Sequence, residues 1–290
     1  MNEFRPIANP TRTAEIMKQY DIKMKKSLGQ NFLVEPQILS KMVDVSQINE
    51  WTTVIEIGPG IGALTEFLAR KAKRVLAFEI DQRFVEILAS TLQDYDNVEV
   101  FHQDILKVEW DAEPFVSLKD EEELVVVANL PYYITTPIIM NLIESQLPFK
   151  RLVMLMQKEV AERMTAAVGT KAYNSLTIAI NYQMDAKMAF IVPKNVFIPK
   201  PNVDSAVLIL ERREQPRVKV DDSLAFQEFV QAAFTQRRKT IWNNLRHYYI
   251  NSGEEDQLAK WFEAAQIDPQ RRSETLSIEE FATLYNEITV

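Results

Sequence analysis

The sequence predicts a doubly wound α/β domain followed by a smaller all-helical domain. Three observations carry this. Short β-rich runs alternate with helix-periodic segments from residue 54 to about residue 213. A glycine-rich turn, Gly58-Pro59-Gly60-Ile61-Gly62, directly follows the first of those runs. Beyond Asp222 the β-rich runs stop, and apolar residues fall at helical spacing.

The elements follow in order. Strands are expected at 54–57, 74–79, 98–101, 124–128 and 152–156. The fourth, Leu124-Val125-Val126-Val127-Ala128, is apolar throughout, as a strand buried on both faces must be. Helices are expected at 64–71, 83–93, 137–144, 158–167 and 174–184. Runs at 187–192 and 206–211 read as a closing strand pair, with Phe197-Ile198-Pro199-Lys200-Pro201 in the loop between them. Residues 214–222 are polar, contain a proline and read as a linker. Phe226, Phe229, Val230, Ala233 and Phe234 then mark one helix face. Trp261-Phe262 and Phe281, Leu284 and Ile288 mark two more helices, the last opened by a capping box of Ser277 and Glu280. The expected domains are 1–213 for the N-terminal segment and α/β domain, a linker at 214–222, and a helical domain at 223–290.

Composition narrows the function classes. The chain has 290 residues, 47% hydrophobic and 26% charged, enough for a sizeable core. It has no cysteine, which excludes disulfides and thiolate metal sites. His102 and His247 stand apart, so no metal centre is expected. No apolar run approaches the length of a membrane span, and the first ten residues lack a signal-peptide core. A cytoplasmic protein with no membrane association is expected. The net charge of −8 argues against a nucleic-acid partner, but its distribution argues for one. Residues 1–31 hold six basic side chains against three acidic ones, and 236–247 hold four against none. The acidic excess sits elsewhere, as in Asp120-Glu121-Glu122-Glu123.

The chemistry is written at the carboxyl ends of the expected strands. The G-x-G-x-G spacing differs from the G-x-G-x-x-G of dinucleotide folds, which fits a cofactor without a pyrophosphate. Gly58 and Gly60 allow the backbone to approach that cofactor closely. Glu79 ends the second strand, twenty-one residues after Gly58, where a carboxylate accepts from ribose hydroxyls. Asp104 follows the third strand and is placed to accept from an adenine amine. Asn129-Leu130-Pro131-Tyr132 follows the fourth. Its Asn offers an amide oxygen to an exocyclic amine, and Pro131 holds the preceding backbone extended so that the Leu130 carbonyl points the same way. Tyr132 offers a flat face to a flipped base, and Phe197 is the candidate for the opposite face. Together these groups point to methyl transfer from S-adenosylmethionine to the N6 amine of adenine. The glycine spacing and the lack of a cleft histidine disfavour a nicotinamide dehydrogenase.

The chain resembles the ribosomal RNA adenine dimethyltransferase family over nearly its whole length. The likeness rests on Leu28-Gly29-Gln30-Asn31-Phe32-Leu33, the 56–62 loop and the Asn129–Tyr132 motif. It rests also on Phe197-Ile198-Pro199-Lys200-Pro201-Asn202-Val203-Asp204-Ser205 and on Ala233-Phe234-Thr235-Gln236-Arg237-Arg238-Lys239. The resemblance implies cofactor contacts at Asn31, Leu33, Gly58, Glu79, Asp104 and Asn129. It implies a target of two adjacent adenosines near the 3′ end of 16S rRNA, within the small ribosomal subunit. Arg237, Arg238, Lys239 and Arg246 are then expected on RNA phosphates, in a basic helical stretch. An enzyme that docks on a ribosomal particle is expected to be a monomer. The alternatives are a large-subunit adenine methyltransferase of the macrolide-resistance type and a non-catalytic ribosome-assembly factor.

Overall fold

The computed structural model describes residues 5–22, 31–129, 134–249 and 255–289. Nine strands run in chain order: β1 (Phe32–Leu33), β2 (Thr53–Ile57), β3 (Arg74–Glu79), β4 (Val98–His102), β5 (Leu124–Asn129), β6 (Arg151–Gln157), β7 (Met184–Val192), β8 (Phe197–Ile198) and β9 (Ser205–Arg212). The larger sheet has the order β4-β3-β2-β5-β6-β9-β7. Strands β4 to β6 are parallel, and β9 runs antiparallel to β6. From β2 the chain winds outward through β3 and β4, then returns to the other side of β2 for β5 and β6. The direction of winding therefore reverses between β2 and β5, which is where open α/β sheets bind ligands. Every residue of β2 is buried, as are Leu124 to Ala128 of β5, so the site rests on the buried centre of the sheet.

Eleven helices are described: α1 (Pro10–Gln19), α2 (Pro36–Ser46), α3 (Thr65–Ala69), α4 (Gln82–Thr91), α5 (Thr135–Glu144), α6 (Lys158–Met164), α7 (Ser175–Gln183), α8 (Ser223–Ala233), α9 (Ile241–Tyr249), α10 (Glu255–Ala264) and α11 (Ile278–Thr289). The strands and helices expected in the α/β region are all present, shifted by a few residues at their ends. Two helices were not expected. Asn9 caps α1 by accepting from the Thr11 and Arg12 amides, with Pro10 in its first turn. Glu35 caps α2 from the Gln37 amide, again with a proline in the first turn. The two-stranded sheet of β1 and β8 was also not expected, because it pairs Leu33 with Phe197 across some 160 residues of sequence.

Helix α1 is held by one buried side chain. Glu66 of α3 is 2% exposed. It accepts from the Ile7 amide at 2.7 Å and from the Arg12 guanidinium at 3.3 Å. Ile7 and Ile16 then pack with Phe32, Ile61, Phe84 and Leu88.

The chain divides into two compact units, Met1–Ala161 with Lys187–Arg212, and Glu162–Ala186 with Arg213–Val290. The chain crosses between the units at residues 161–162, 186–187 and 212–213. The excursion 162–186 differs from expectation, and packing explains it. Tyr173, Ile178 and Tyr182 bury themselves with Phe226, Phe229, Leu245, Phe281 and Tyr285 in the core of the second unit. Asn174 and Thr177 form a capping box that starts α7. The stretch expected as a linker is tied to the same unit. Arg213 and Arg217 both pair with Asp185, and the Tyr285 hydroxyl donates to the Asp222 carbonyl. The capping box read at Ser277 and Glu280 is present. The Ser277 amide donates to Glu280 Oε2 at 2.8 Å, and the Glu280 amide to Ser277 Oγ at 3.2 Å.

Candidate functional site

The ends of β2, β3 and β5 and the turn after β4 open onto one crevice in the first unit. The turn after β2 is built by its glycines. Gly58 has φ +70° and Gly60 φ +58°, in the left-handed region that side chains avoid. A Cβ on Gly60 would lie 3.3 Å from the Phe32 ring, so the turn also lets β1 close over it. The Gly60 amide donates to Glu79 Oε2 at 3.1 Å, which locks the turn to the end of β3. Glu79 Oε1 accepts from the Asp81 amide at 2.9 Å. Burial pushes the Glu79 carboxyl upward, and its backbone hydrogen bonds oppose that push.

Asn31, Leu33, Gly58, Gly60, Glu79, Asp104, Asn129 and Phe197, eight residues singled out from the sequence, all line this crevice. They come from six separate stretches of chain. Asp104 serves two purposes there. Its Oδ1 caps a short 3-10 turn by accepting from the Leu106 amide at 3.1 Å, and the residue also lines the crevice. Phe197 is 4% exposed and belongs to the core cluster with Leu33, Leu39 and Val127, so it forms a fixed wall. Leu130, Pro131 and Tyr132 lie outside the described residues.

The crevice also holds residues that were not singled out. Ile80 follows Glu79 and is 56% exposed while lining the crevice, which makes it an apolar platform beside an acceptor. The signal in the sequence is a large apolar residue placed just past an acidic strand end. Glu56 stands before Gly58 in the quoted motif without a role. It is 1% exposed, lines the crevice, and its Oε2 has no hydrogen-bond partner among the described residues. Burial pushes its pKa up to about 8; Thr65 opposes this, and the Glu79 charge adds to it. The described lining thus carries three carboxyl groups and no Lys, Arg or His. Such a lining suits a ligand that is cationic and rich in hydrogen-bond donors. It does not suit a pyrophosphate.

In the second unit, Arg237, Arg238 and Lys239 are exposed on the turn between α8 and α9, not within a helix as expected. Asn244 sets this turn. Its side chain accepts from the Gln236 amide and donates to the Ala233 carbonyl, which keeps the backbone from continuing α8. Arg237 also donates to the Lys171 carbonyl. Arg246 lies exposed on α9. Among the described residues, no group of three or more His, Asp or Glu is placed to hold a metal, and no helix is long and apolar enough to cross a membrane.

Comparison with known proteins gives a consistent result. A family model described as "Ribosomal RNA adenine dimethylase" matches residues 21–290. The chain is 52% identical over 292 residues to a protein of Enterococcus faecalis named ribosomal RNA small subunit methyltransferase A, covering 99% of this chain and 98% of that one. It is 54% identical over 286 residues to a protein of the same name from Anoxybacillus flavithermus, covering 98% and 97%. Among solved structures, a dimethyladenosine transferase from Plasmodium falciparum superposes with a TM-score of 0.72 at 27% identity, over 88% of this chain and 96% of that one.

Proposed function

The chain belongs to the ribosomal RNA adenine dimethylase family, and on that premise we propose that it dimethylates the N6 amines of two adjacent adenosines near the 3′ end of 16S rRNA, with S-adenosylmethionine as methyl donor. The observation that carries the reading is the crevice at the β2/β5 switch point. It gathers Asn31, the glycine turn, Glu79, Asp104 and Asn129 on one ligand-sized opening. The full-length relatives at 52% and 54% identity favour the small subunit over the large one as substrate.

The residues present fit this cofactor. Glu79 would accept from the ribose hydroxyls, Ile80 would offer an apolar platform to the adenine, and Asp104 would accept from the adenine amine. Gly58 and Gly60 leave room for the backbone to meet the methionine portion. When bound, S-adenosylmethionine supplies an electrophilic methyl group on a sulfonium.

The protein's task is then to make a poor nucleophile attack. The N6 lone pair of adenine is delocalised into the ring. Asn129 accepts a hydrogen bond from an N6 proton, which draws the nitrogen toward a tetrahedral shape with its lone pair aimed at the methyl. Leu130 supplies a second acceptor through its carbonyl, Tyr132 stacks on the base, and Phe197 walls the pocket. Orientation of this kind lowers a barrier by several kcal/mol. No strong base is needed, because the nitrogen becomes acidic as it gains the methyl group. Arg237, Arg238, Lys239 and Arg246 hold RNA phosphates, and the protein acts as a monomer in the cytoplasm.

The test is transfer of labelled methyl groups to unmethylated small subunits and, in parallel, to large-subunit rRNA, with nucleosides identified by mass spectrometry. N6,N6-dimethyladenosine confined to small-subunit RNA is expected. Product on large-subunit RNA alone would move the assignment to the resistance-type enzyme.

A further inference from the structure

Among the described residues, Glu56 is the one ionisable group lining the cofactor crevice that the proposed transfer leaves unused. In β2 it pairs in register with Ala77 of β3 and Val127 of β5, so neither flanking strand brings a charge to it. From α3 it meets Thr65, while the neighbouring Glu66 is engaged by Ile7 and Arg12. From the end of β3 it feels the Glu79 carboxylate, and Asp104 lies on the same crevice. No cationic side chain lines the crevice among the described residues. A buried carboxylate with one oxygen unpartnered among the described residues and an acid nearby is costly, so burial favours the neutral acid. A cation arriving at that oxygen reverses the balance, since an opposite charge at contact lowers a carboxyl pKa by roughly 1–3 units.

We propose that Glu56 is a proton-linked acceptor for the cationic end of the methyl donor, neutral while the crevice is empty and ionised once a cation lies against Oε2. Binding of the donor then expels a proton from the protein. This rests on the crevice being the cofactor site. S-adenosylmethionine carries two cationic centres, the sulfonium and the α-ammonium, and S-adenosylhomocysteine keeps only the ammonium. If the sulfonium is the partner, the protein tells donor from spent product by charge, and loss of the methyl group returns Glu56 to its neutral form.

The test is titration calorimetry of the full-length protein with each of the two ligands at pH 7, in two buffers of different ionisation enthalpy. A pKa of about 8 leaves the empty site mostly protonated at that pH. Wild type is expected to release close to one proton more than Glu56→Gln. An excess with S-adenosylmethionine alone assigns the sulfonium, and an excess with both ligands assigns the ammonium. The ratio of wild-type to Glu56→Gln affinity is expected to rise about tenfold from pH 7 to pH 9. Glu56→Gln mimics the neutral acid, so its thermal melt at pH 7 should be no lower than that of wild type, which separates lost binding from lost folding. Equal proton release in the two proteins would overturn the proposal while leaving the cofactor site standing. No binding of either ligand to wild type would overturn both.

Discussion

At the residue scale, Asn129 and Glu56 carry different kinds of consequence. Asn129 ends a buried strand, paired in register with Leu155, so its backbone is fixed whatever its side chain does. Asn129→Ala is therefore expected to fold normally and to lose turnover by about a hundredfold or more. A single-turnover assay giving a near-normal methylation rate would refute the acceptor role. Glu56 bears on stability. Its folded pKa, about 8, lies above the ordinary carboxyl value of 4.5. The folded state thus holds a proton that the unfolded chain gives up. The associated stability is complete below the unfolded value and is lost as pH rises toward 8, by up to about 1.4 kcal/mol per pH unit. Urea midpoints measured between pH 5 and 8 should fall for wild type relative to Glu56→Gln; parallel curves would contradict the buried neutral acid. Most of the crevice was legible at this scale, because Gly58, Glu79, Asp104 and Asn129 each stand at a strand end that local pattern can locate. Ile80 was less so. An exposed isoleucine acquires meaning only when the crevice beside it is seen.

At the scale of elements, caps and pins set which helices hold. The reciprocal bonds of Ser277 and Glu280 start α11, and Arg271 grips both oxygens of the same Glu280, holding its carboxyl below the usual range. Ser277→Ala is expected to cost about 1 kcal/mol in urea denaturation. Glu66 pins α1 to α3 through the Ile7 amide. Glu66→Ala leaves that buried donor without its acceptor, at a cost of about 1–3 kcal/mol. Hydrogen exchange should then show α1 losing protection ahead of β2; unchanged protection would mean that Ile7 and Ile16 hold the helix unaided. That α11 was legible and the β1–β8 pair was not has a physical basis. A capping box is complete within four residues, whereas Leu33 and Phe197 pair across 164 residues of sequence that no local pattern spans. The Asn9-Pro10 and Glu35-Pro36 pairs do carry helix-start chemistry, but neither helix was expected from it.

At the scale of the molecule, charge placement outweighs charge sum. A chain of net charge −8 presents Arg237, Arg238 and Lys239 on one exposed turn. Arg237 also has a structural bond, so the cleaner test is the Arg238→Ala/Lys239→Ala double variant. Its RNA affinity should fall, and the slope of log K against log salt should shrink by about 2. An unchanged slope would make the turn ordinary surface. The excursion at 162–186 was not legible in the sequence, because the periodicity of a helix does not say which core receives its apolar face. That excursion has a consequence for synthesis. Tyr173, Ile178 and Tyr182 leave the ribosome some forty to fifty residues before Phe226 and Phe229, and about a hundred before Phe281. At roughly 5–20 residues per second, α7 waits for several seconds with its apolar side uncovered. Neither unit is one uninterrupted length of chain, so the nascent protein passes through a stage in which its last strands have arrived while the second core still lacks half its walls. A nascent chain that has cleared the exit tunnel only as far as residue 215 would display that stage.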